Sequence, residues 1–299
     1  MKQNRWYIYQ KERFPLAMYI PMILAFSFSA ISYSAATLNG QITIKALAVS
    51  FYVSISFFML LRIADEYKDF EEDSKYRPYR PVPRGLVKRE ELGRIGFGLG
   101  IGQLIICGIY EPRLLILLVI LWIYYGCMCK EFFISKWLRS HIGWYMFSHM
   151  LIMPQLDFFA TACEFWPRPG VQIGSGLVWF IISSFFDGIV IEVGRKMRAE
   201  EDEEEGVETY SKLWGQKRSI GIWLGAMIMS LASTFFAVYQ LGGAALASIT
   251  LGGAFIACFI GAINYLKKPH GKNGSRLEVL SGAWTLVDYL SLGIIPLLL

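Results

Sequence analysis

Carboxylates recur at every fourth position in the segment that begins at residue 65. Three aspartates stand at i, i+4 and i+8 directly after an apolar run: Asp65, Asp69 and Asp73. Four helical residues advance 400°, so this spacing predicts one acidic stripe with about 6 Å of rise between neighbouring side chains. Like charges at i and i+4 repel by roughly 0.2–0.5 kcal/mol per pair, and the C-terminal end of a helix already carries the negative pole of its dipole. The stripe therefore predicts a bound cation.

Magnesium is the cation that such a stripe favours. Mg²⁺ takes only one or two carboxylates and completes its octahedron with water and phosphate oxygens. Forked guanidinium groups that can bind those oxygens follow in a proline-rich loop: Arg77, Arg80 and Arg84. The pattern predicts a diphosphate bridged by Mg²⁺. The alternative for each arginine is contact with lipid headgroups.

A second acidic segment runs from Glu192 to Gly206 and mixes bases with acids. Its six consecutive acids, 200–205, are typical of a solvated surface, so only some of them can be ligands. Glu192 is more informative, because it closes an apolar run, where an unpaired carboxylate is expensive. Further acids inside apolar runs are predicted to be either site residues or partners in interhelical hydrogen bonds: Asp157, Asp187 and Asp288.

Membrane-spanning helices are the elements that must position these residues. The chain has 299 residues, of which 55% are hydrophobic and 18% charged, and the mean hydropathy is +0.42, which excludes an ordinary soluble domain. A spanning helix needs roughly 20 apolar residues. We therefore predict an all-α bundle of about nine spans, forming one domain over 1–299. The apolar runs are 15–37, 43–64, 92–110, 112–129, 141–161, 173–194, 218–239, 244–266 and 280–298.

Basic residues indicate the orientation of these spans. If the N-terminus is cytoplasmic, 26 of the 29 lysines and arginines fall in cytoplasmic segments, as the positive-inside rule requires. The net charge of +5 is then a topology signal and gives no reason to expect a nucleic-acid partner. Acids do little to set topology, yet 17 of 24 fall within 65–91 and 187–208, on the same face. We predict two acidic cytoplasmic loops, 65–91 and 192–217, that form a site.

Several other chemistries lack their motifs. The five cysteines form no CxxC pair, and the three histidines are scattered, so neither a disulfide framework nor a zinc site is indicated. The sequence contains no GxSxG, HExxH or GxxxxGK[ST] pattern. A lipid phosphotransferase pattern, D-x2-D-G-x2-A-R, fails around Asp187-Gly188, because Ser184 replaces the first Asp and Ile191-Glu192 the final pair. A transporter remains possible, although transporter sites usually lie at the bilayer midplane.

The first acidic segment resembles the first motif of the UbiA superfamily of intramembrane prenyltransferases. That motif reads (N/D)DxxDxxxD, followed by an Arg-Pro-rich stretch and a glycine. The matching residues are Asp65-Glu66-x2-Asp69-x3-Asp73 and Arg80-Pro81-Val82-Pro83-Arg84-Gly85. The resemblance covers the whole chain at the level of nine helices, with acidic loops after the second and sixth.

The second acidic segment matches the second motif of that family only in part. The family pattern is DxxxD with a tail that Gly206, Thr209, Ser211 and Gly215 match. Asp202 falls on the second Asp, but Arg198 occupies the place of the first. Either Glu192 or a neighbouring Glu then replaces the missing ligand, or the basic residues bind the diphosphate directly: Arg195, Lys196 and Arg198.

The resemblance implies a Mg²⁺-dependent transfer of a prenyl group from its diphosphate to a lipophilic acceptor, expected to be aromatic. An allylic cation would form in a dry central cavity whose candidate lining is Phe57, Phe58, Trp122, Tyr124, Tyr125, Trp144, Tyr145 and Phe147. The predicted metal ligands and catalytic acids are Asp65, Asp69, Asp73, Glu192 and Asp202. The predicted diphosphate ligands are Arg77, Arg80, Arg84, Lys136, Arg195, Lys196 and Arg198.

Two other functions stay open at this point. A terpene cyclase of the same superfamily would ionise the same donor and quench the cation within the molecule. A non-catalytic membrane carrier or scaffold is the third hypothesis. The sequence indicates the lipid bilayer, a prenyl diphosphate and a lipophilic acceptor as partners, and it shows no evident protein partner.

Overall fold

A computed structural model describes residues 4–168, 170 and 174–299, and within these residues the chain is helical, with no β-strand. The all-α prediction is therefore confirmed. The α-helices of these residues are α1 (Arg5–Arg13), α2 (Leu16–Thr37), α3 (Ile44–Lys68), α4 (Phe70–Tyr76), α5 (Arg89–Tyr110), α6 (Leu114–Cys129), α7 (Ser135–Ser140), α8 (Ile142–Met150), α9 (Ile152–Phe165), α10 (Gly176–Arg195), α11 (Tyr210–Trp214), α12 (Gln216–Tyr239), α13 (Ala244–Lys267) and α14 (Gly271–Ile294).

Seven helices of the described chain are long and apolar enough to cross a membrane: α2, α3, α5, α10, α12, α13 and α14. The predicted fourth span is the shorter apolar helix α6. The predicted fifth span, 141–161, is divided between α8 and α9, because Pro154 has no N–H to donate to the carbonyl of Met150. The predicted sixth span starts at residue 173, which lies outside the described residues. The polytopic bundle is thus confirmed, with one short and one broken element among the nine predicted.

The two largest apolar cores of the described residues hold the bundle together, and α10 and α14 contribute to both. The first core includes Phe26, Phe57 and Phe159 from α2, α3 and α9. The second surrounds Trp223 of α12 and Trp284 of α14. Close packing fixes the end of α10 that carries the second acidic segment. A Cβ at Gly194 would lie 1.8 Å from the Ser281 hydroxyl oxygen of α14, so only glycine permits this approach.

Carboxylates inside the bundle form hydrogen bonds between helices. Asp187 of α10, Asp288 of α14 and Asp157 of α9 are all buried. Each accepts at least one hydrogen bond from a neighbouring helix, which offsets part of the cost of a polar group in an apolar environment. This is the interhelical alternative that the sequence left open. The donors are Ser230 and Trp284 to Asp187, at 2.8 and 3.0 Å, Ser183 and Thr234 to Asp288, both at 2.7 Å, and Tyr289 to Asp157, at 2.8 Å.

Both acidic segments lie at the same face of the bundle, which we call the acidic face. The Tyr79 hydroxyl donates to Glu204 across 3.3 Å and so joins the two segments. Helix α1 lies on this face as well, because Glu12 pairs with Arg84 at 2.9 Å. The opposite ends of the helices meet around Glu164, which accepts hydrogen bonds from Thr43. Within the described residues, the Tyr79–Glu204 contact thus places parts of the two segments side by side.

A buried ion pair attaches α1 to α3. The side chains of Arg13 and Glu66 are only 10% and 1% exposed. Glu66 is the second residue of the first motif, and the structure directs it towards α1, away from Asp65 and Asp69. By contrast, the Arg5–Glu91 pair of α1 and α5 is 47% and 24% exposed. These two pairs provide a matched comparison of buried and exposed charge.

We expect Arg13→Ala to lower the free energy of unfolding by about 3–5 kcal/mol, because Glu66 then stays buried without its cation. Arg5→Ala should change it by no more than about 1 kcal/mol, since that pair is exposed and screened by solvent. Unfolding of the detergent-solubilised protein, followed by circular dichroism, measures both. Equal stabilities of the two variants would contradict the anchoring role of Arg13.

Candidate active site

The first acidic segment continues the backbone register of α3 through a bend at Asp69. Helix α3 ends at Lys68 and α4 begins at Phe70. Hydrogen bonds still run from the Asp69 N–H to the Asp65 carbonyl, at 2.9 Å, and from the Asp73 N–H to the Asp69 carbonyl, at 2.7 Å. The four-residue spacing predicted for the stripe is present, but the three carboxylates have different surroundings.

Asp73 is buried and paired with arginines of the proline-rich loop. Arg80 Nη1 donates to one carboxylate oxygen at 2.7 Å, and Arg77 Nε lies 2.9 Å from the other. Arg84 is directed elsewhere, to Glu12 and to the Tyr79 carbonyl, at 2.9 and 2.7 Å. In this arrangement, Arg77 and Arg80 neutralise Asp73, and Arg84 attaches the loop to α1.

Asp65 and Asp69 are the members of the stripe that remain open. Asp65 is half-exposed and lies 3.3 Å from Arg62 Nη1. No hydrogen bond or ion pair within the described part of the chain engages the Asp69 carboxylate. Burial, reinforced by the neighbouring charge of Asp65, raises the pKa of Asp69 to about 6. A bound cation would favour its ionised form, because an opposite charge lowers the pKa of a carboxyl group.

Glu192 marks the end of α10 and holds two bases. Its carboxylate accepts from Arg195 at 2.6 Å and lies 2.8 Å from Lys196 Nζ. The Tyr210 hydroxyl reaches the same carboxylate at 3.5 Å. The charge of Asp65, near the end of α3, also acts on Arg195. The end of α10 thus holds Glu192, Arg195 and Lys196 in one group.

The loop after α10 is organised by Glu203. Its carboxylate accepts hydrogen bonds from Thr209 at 2.6 Å and from Ser211 at 2.9 Å, and the Ser211 hydroxyl accepts from the Arg198 N–H at 2.9 Å. Asp202 is exposed, and no hydrogen bond or ion pair of the described residues joins it to Asp65 or Asp69. A cavity of about 700 Å³ opens beside this loop and is lined by Arg198, Glu203, Lys212, Trp214, Lys217 and Arg218, among others. The central cavity stays a prediction.

Lys136 is exposed on α7, a short helix packed against α8.

The residue of this region that sequence reasoning missed is Glu131, which is buried and pairs with Lys68 at the end of α3. A signal was present, because Glu131 is the single acid between Cys129 and His141, in a basic connection. Arg62, which the sequence suggested only as a topology signal, also belongs to the neighbourhood of Asp65.

The donor set suits Mg²⁺ better than a metal held entirely by side chains. Within the residues that the structure describes, no group of three His, Cys, Asp or Glu side chains could hold a metal ion. Mg²⁺ needs only one or two carboxylates, because water and phosphate oxygens supply its other ligands. Asp65 and Asp69 would provide that pair, so the residues fit the predicted cofactor.

Comparisons with known proteins bear on the family and on the fold. The model of the UbiA prenyltransferase family matches residues 18–281. The chain resembles a structure of digeranylgeranylglyceryl phosphate synthase in membranes, with 17% identity, a TM-score of 0.61 and coverage of 95% of this chain and 99% of that one. It also resembles the apo structure of a UbiA homologue from Aeropyrum pernix K1, with 12% identity, a TM-score of 0.68 and coverage of 93% and 98%. A search of curated proteins gives no match.

The two structural neighbours share the fold of almost the entire chain. Their sequence identities of 17% and 12% establish a common fold and nothing further. The family assignment rests on the sequence model, which spans most of the 299 residues and includes both acidic segments. Its first part covers Asp65 and Asp69, and its second covers Glu192 and Arg195. The chain therefore belongs to the UbiA prenyltransferase family, as a multi-pass membrane protein with prenyl transfer as its general activity.

Proposed function

We propose that the protein transfers a prenyl group from a Mg²⁺-bound prenyl diphosphate to a lipophilic acceptor, expected to be aromatic. The observation that carries this proposal is the Asp69 carboxylate, which lies beside Asp65 without an ion pair and with a pKa raised to about 6. Members of the family generally use Mg²⁺ with a prenyl diphosphate. Of the predicted ligands, Asp65 and Asp69 fit the metal best, whereas Asp73 and Glu192 fix bases in place.

The bases at the end of α10 would bind the diphosphate. Arg195 and Lys196 are fixed by Glu192, and Arg195 lies on the side of Asp65. Fixed positive charges stabilise the departing diphosphate more in the transition state than in the ground state, because the negative charge grows as the bond to the prenyl carbon breaks. Mg²⁺, when bound, would supply further charge neutralisation at the phosphate oxygens.

Aromatic side chains lie next to this charged region, as an allylic cation requires. Tyr125 donates to the Leu60 carbonyl at 2.8 Å, just over one turn before Asp65. Its ring meets that of Phe57 edge to face, with 5.6 Å between centroids. Aromatic faces attract cations, and a site that excludes water protects an allylic cation from reaction with water. These rings support the transfer reaction on the membrane side of the acidic face.

A UbiA-type terpene cyclase is the second candidate. Its support is Arg198, which stands where the family has the first Asp of its second motif, and whose loop is fixed by Glu203. Such an enzyme would ionise the same donor and quench the cation internally. A non-catalytic carrier or scaffold would also bind a prenyl diphosphate but would release no diphosphate from it.

Asp69→Asn should lower the rate of diphosphate release by roughly 100-fold, because the variant removes one carboxylate from the metal without changing the size of the side chain. Release is measured with purified protein and geranyl, farnesyl or geranylgeranyl diphosphate over a series of Mg²⁺ concentrations. The control is Glu71→Gln, an exposed acid of α4, which should stay within about twofold of the wild type. Undiminished release by Asp69→Asn would place the metal elsewhere.

Products formed from the donor alone distinguish the candidate reactions. We expect no cyclic hydrocarbon or cyclic alcohol when acceptor is omitted, because the transferase uses an external nucleophile. Gas chromatography with mass spectrometry detects either product. A cyclic product would overturn the transferase in favour of the cyclase.

Diphosphate release that survives Asp69→Ala and Asp73→Ala together would show that this site is not the catalytic one.

We also infer that the N-terminus and the acidic face are cytoplasmic, because most of the basic residues lie in segments that share that side. A cysteine introduced at Glu205, an exposed residue of the acidic face, should resist an impermeant thiol reagent in intact cells. A cysteine at Lys45, which is exposed at the start of α3 on the opposite side, should react. The reverse labelling pattern would overturn this orientation.

A further inference from the structure

A strained turn between α6 and α7 directs Glu131 into the protein. Three successive residues that are not glycine have positive φ: Glu131 at 50°, Phe132 at 51° and Phe133 at 61°. Such conformations are strained for residues other than glycine, and strain of this kind is concentrated at functional sites. Phe133 is exposed, whereas Phe132 packs edge to face against Tyr124 and His149. The Glu131 side chain is buried beneath them.

One oxygen of the Glu131 carboxylate is fully engaged. Oε1 forms an ion pair with Lys68 and accepts from the Tyr145 hydroxyl at 3.3 Å. Lys68 Nζ also lies 2.5 Å from that hydroxyl and 5.0 Å from the centroid of the Tyr145 ring. Lys68 and Tyr145 therefore hold the carboxylate in one position. We call these residues, together with His149, the Glu131 cluster.

The other oxygen faces the ring of His149. Glu131 Oε2 lies 3.5 Å from His149 Nε2, and both atoms are buried without a hydrogen-bond partner in the part of the chain that the structure describes. His149 Nδ1 lies 2.8 Å from the Tyr145 carbonyl. A carbonyl oxygen can only accept, so in the neutral ring Nδ1 carries the proton and Nε2 presents a lone pair. Two buried acceptors thus face each other and lack the donor that would satisfy them.

The Glu131 cluster borders both parts of the candidate active site. Lys68 directly precedes Asp69, and the charge of Asp69 acts on Tyr145. From α10, the charge of Glu192 acts on His149. The charged and titratable groups that face His149 are therefore Lys68 of α3, Glu131 of the turn, Glu192 of α10 and Tyr145 of its own helix. The Glu131 cluster is thus within electrostatic reach of both parts of the candidate active site.

We propose that His149 Nε2 is the general base that removes the proton of a hydroxyl-bearing acceptor, with Glu131 as its positioning residue. This inference rests on the transfer reaction proposed above. The acceptor O–H bond breaks, and its electron pair forms the new bond to the prenyl carbon. The bond from that carbon to diphosphate breaks, and its electron pair leaves on the diphosphate. The proton moves to Nε2, where Glu131 Oε2 stabilises the imidazolium.

A chromogenic phenol tests the general base directly, in the absence of any prenyl diphosphate. At one pH unit below its own pKa, 4-nitrophenol bound to the wild type should show the visible band of the phenolate. His149→Gln should lack this band, and Glu131→Gln should weaken phenolate formation by roughly tenfold, which corresponds to one pKa unit. His141→Gln is the matched control, because His141 is exposed and stacked on Trp137, and it should keep the wild-type band. A band that persists in His149→Gln would overturn the proposal.

Thermal melting identifies a variant that fails to fold. If His149→Gln does not fold, Glu131→Gln provides the same test, because it leaves the ring in place and removes only the charge opposite Nε2. Diphosphate release by the wild type separates this proposal from the transfer function. Release without a phenolate band would overturn the base alone. A phenolate band without release would support the base and overturn the transfer function.

Discussion

A carboxylate at the end of a membrane helix must be compensated by a positive charge, and the architecture of the acidic face follows from this constraint. Glu66 is compensated by Arg13 of α1, Asp73 by Arg77 and Arg80, and Glu192 by Arg195 and Lys196. Each pair fixes a helix end or a loop. Within the first motif, this leaves Asp69 as the carboxylate whose compensation would have to come from a bound ion.

Lys68 connects that open carboxylate with the Glu131 cluster. It is the base next to Asp69 in the chain, yet its ammonium group pairs with Glu131 on the other side. The same contact therefore leaves Asp69 without an ion pair and occupies one oxygen of Glu131, so that the second oxygen faces His149. The metal site that we propose at the end of α3 and the general base that we propose on α8 are thus linked through one side chain.

Inside the bundle, no lysine or arginine of the described residues pairs with Asp187 or Asp288. Hydroxyl and indole groups compensate these carboxylates instead. Asp187 and Asp288 accept hydrogen bonds that join α10, α12 and α14. Together with the close approach at Gly194, these contacts make α10 a fixed element of both apolar cores. The bases at the end of α10 are consequently held by rigid packing behind them, which is what a preorganised diphosphate site requires.

The sequence by itself determined the α-helical membrane class, the order of the apolar elements, the two acidic segments and the family, because hydrophobic run length and motif spacing are local properties. It also indicated Asp65 and Asp69. Only the tertiary structure decided which acids are compensated by residues distant in the chain, as in the pair of Arg13 and Glu66, which are separated by 53 residues. For the same reason, the role of Glu131 depended on contacts with α3 and α8, and no spacing rule predicts which oxygen of a carboxylate remains unpaired once the helices have packed.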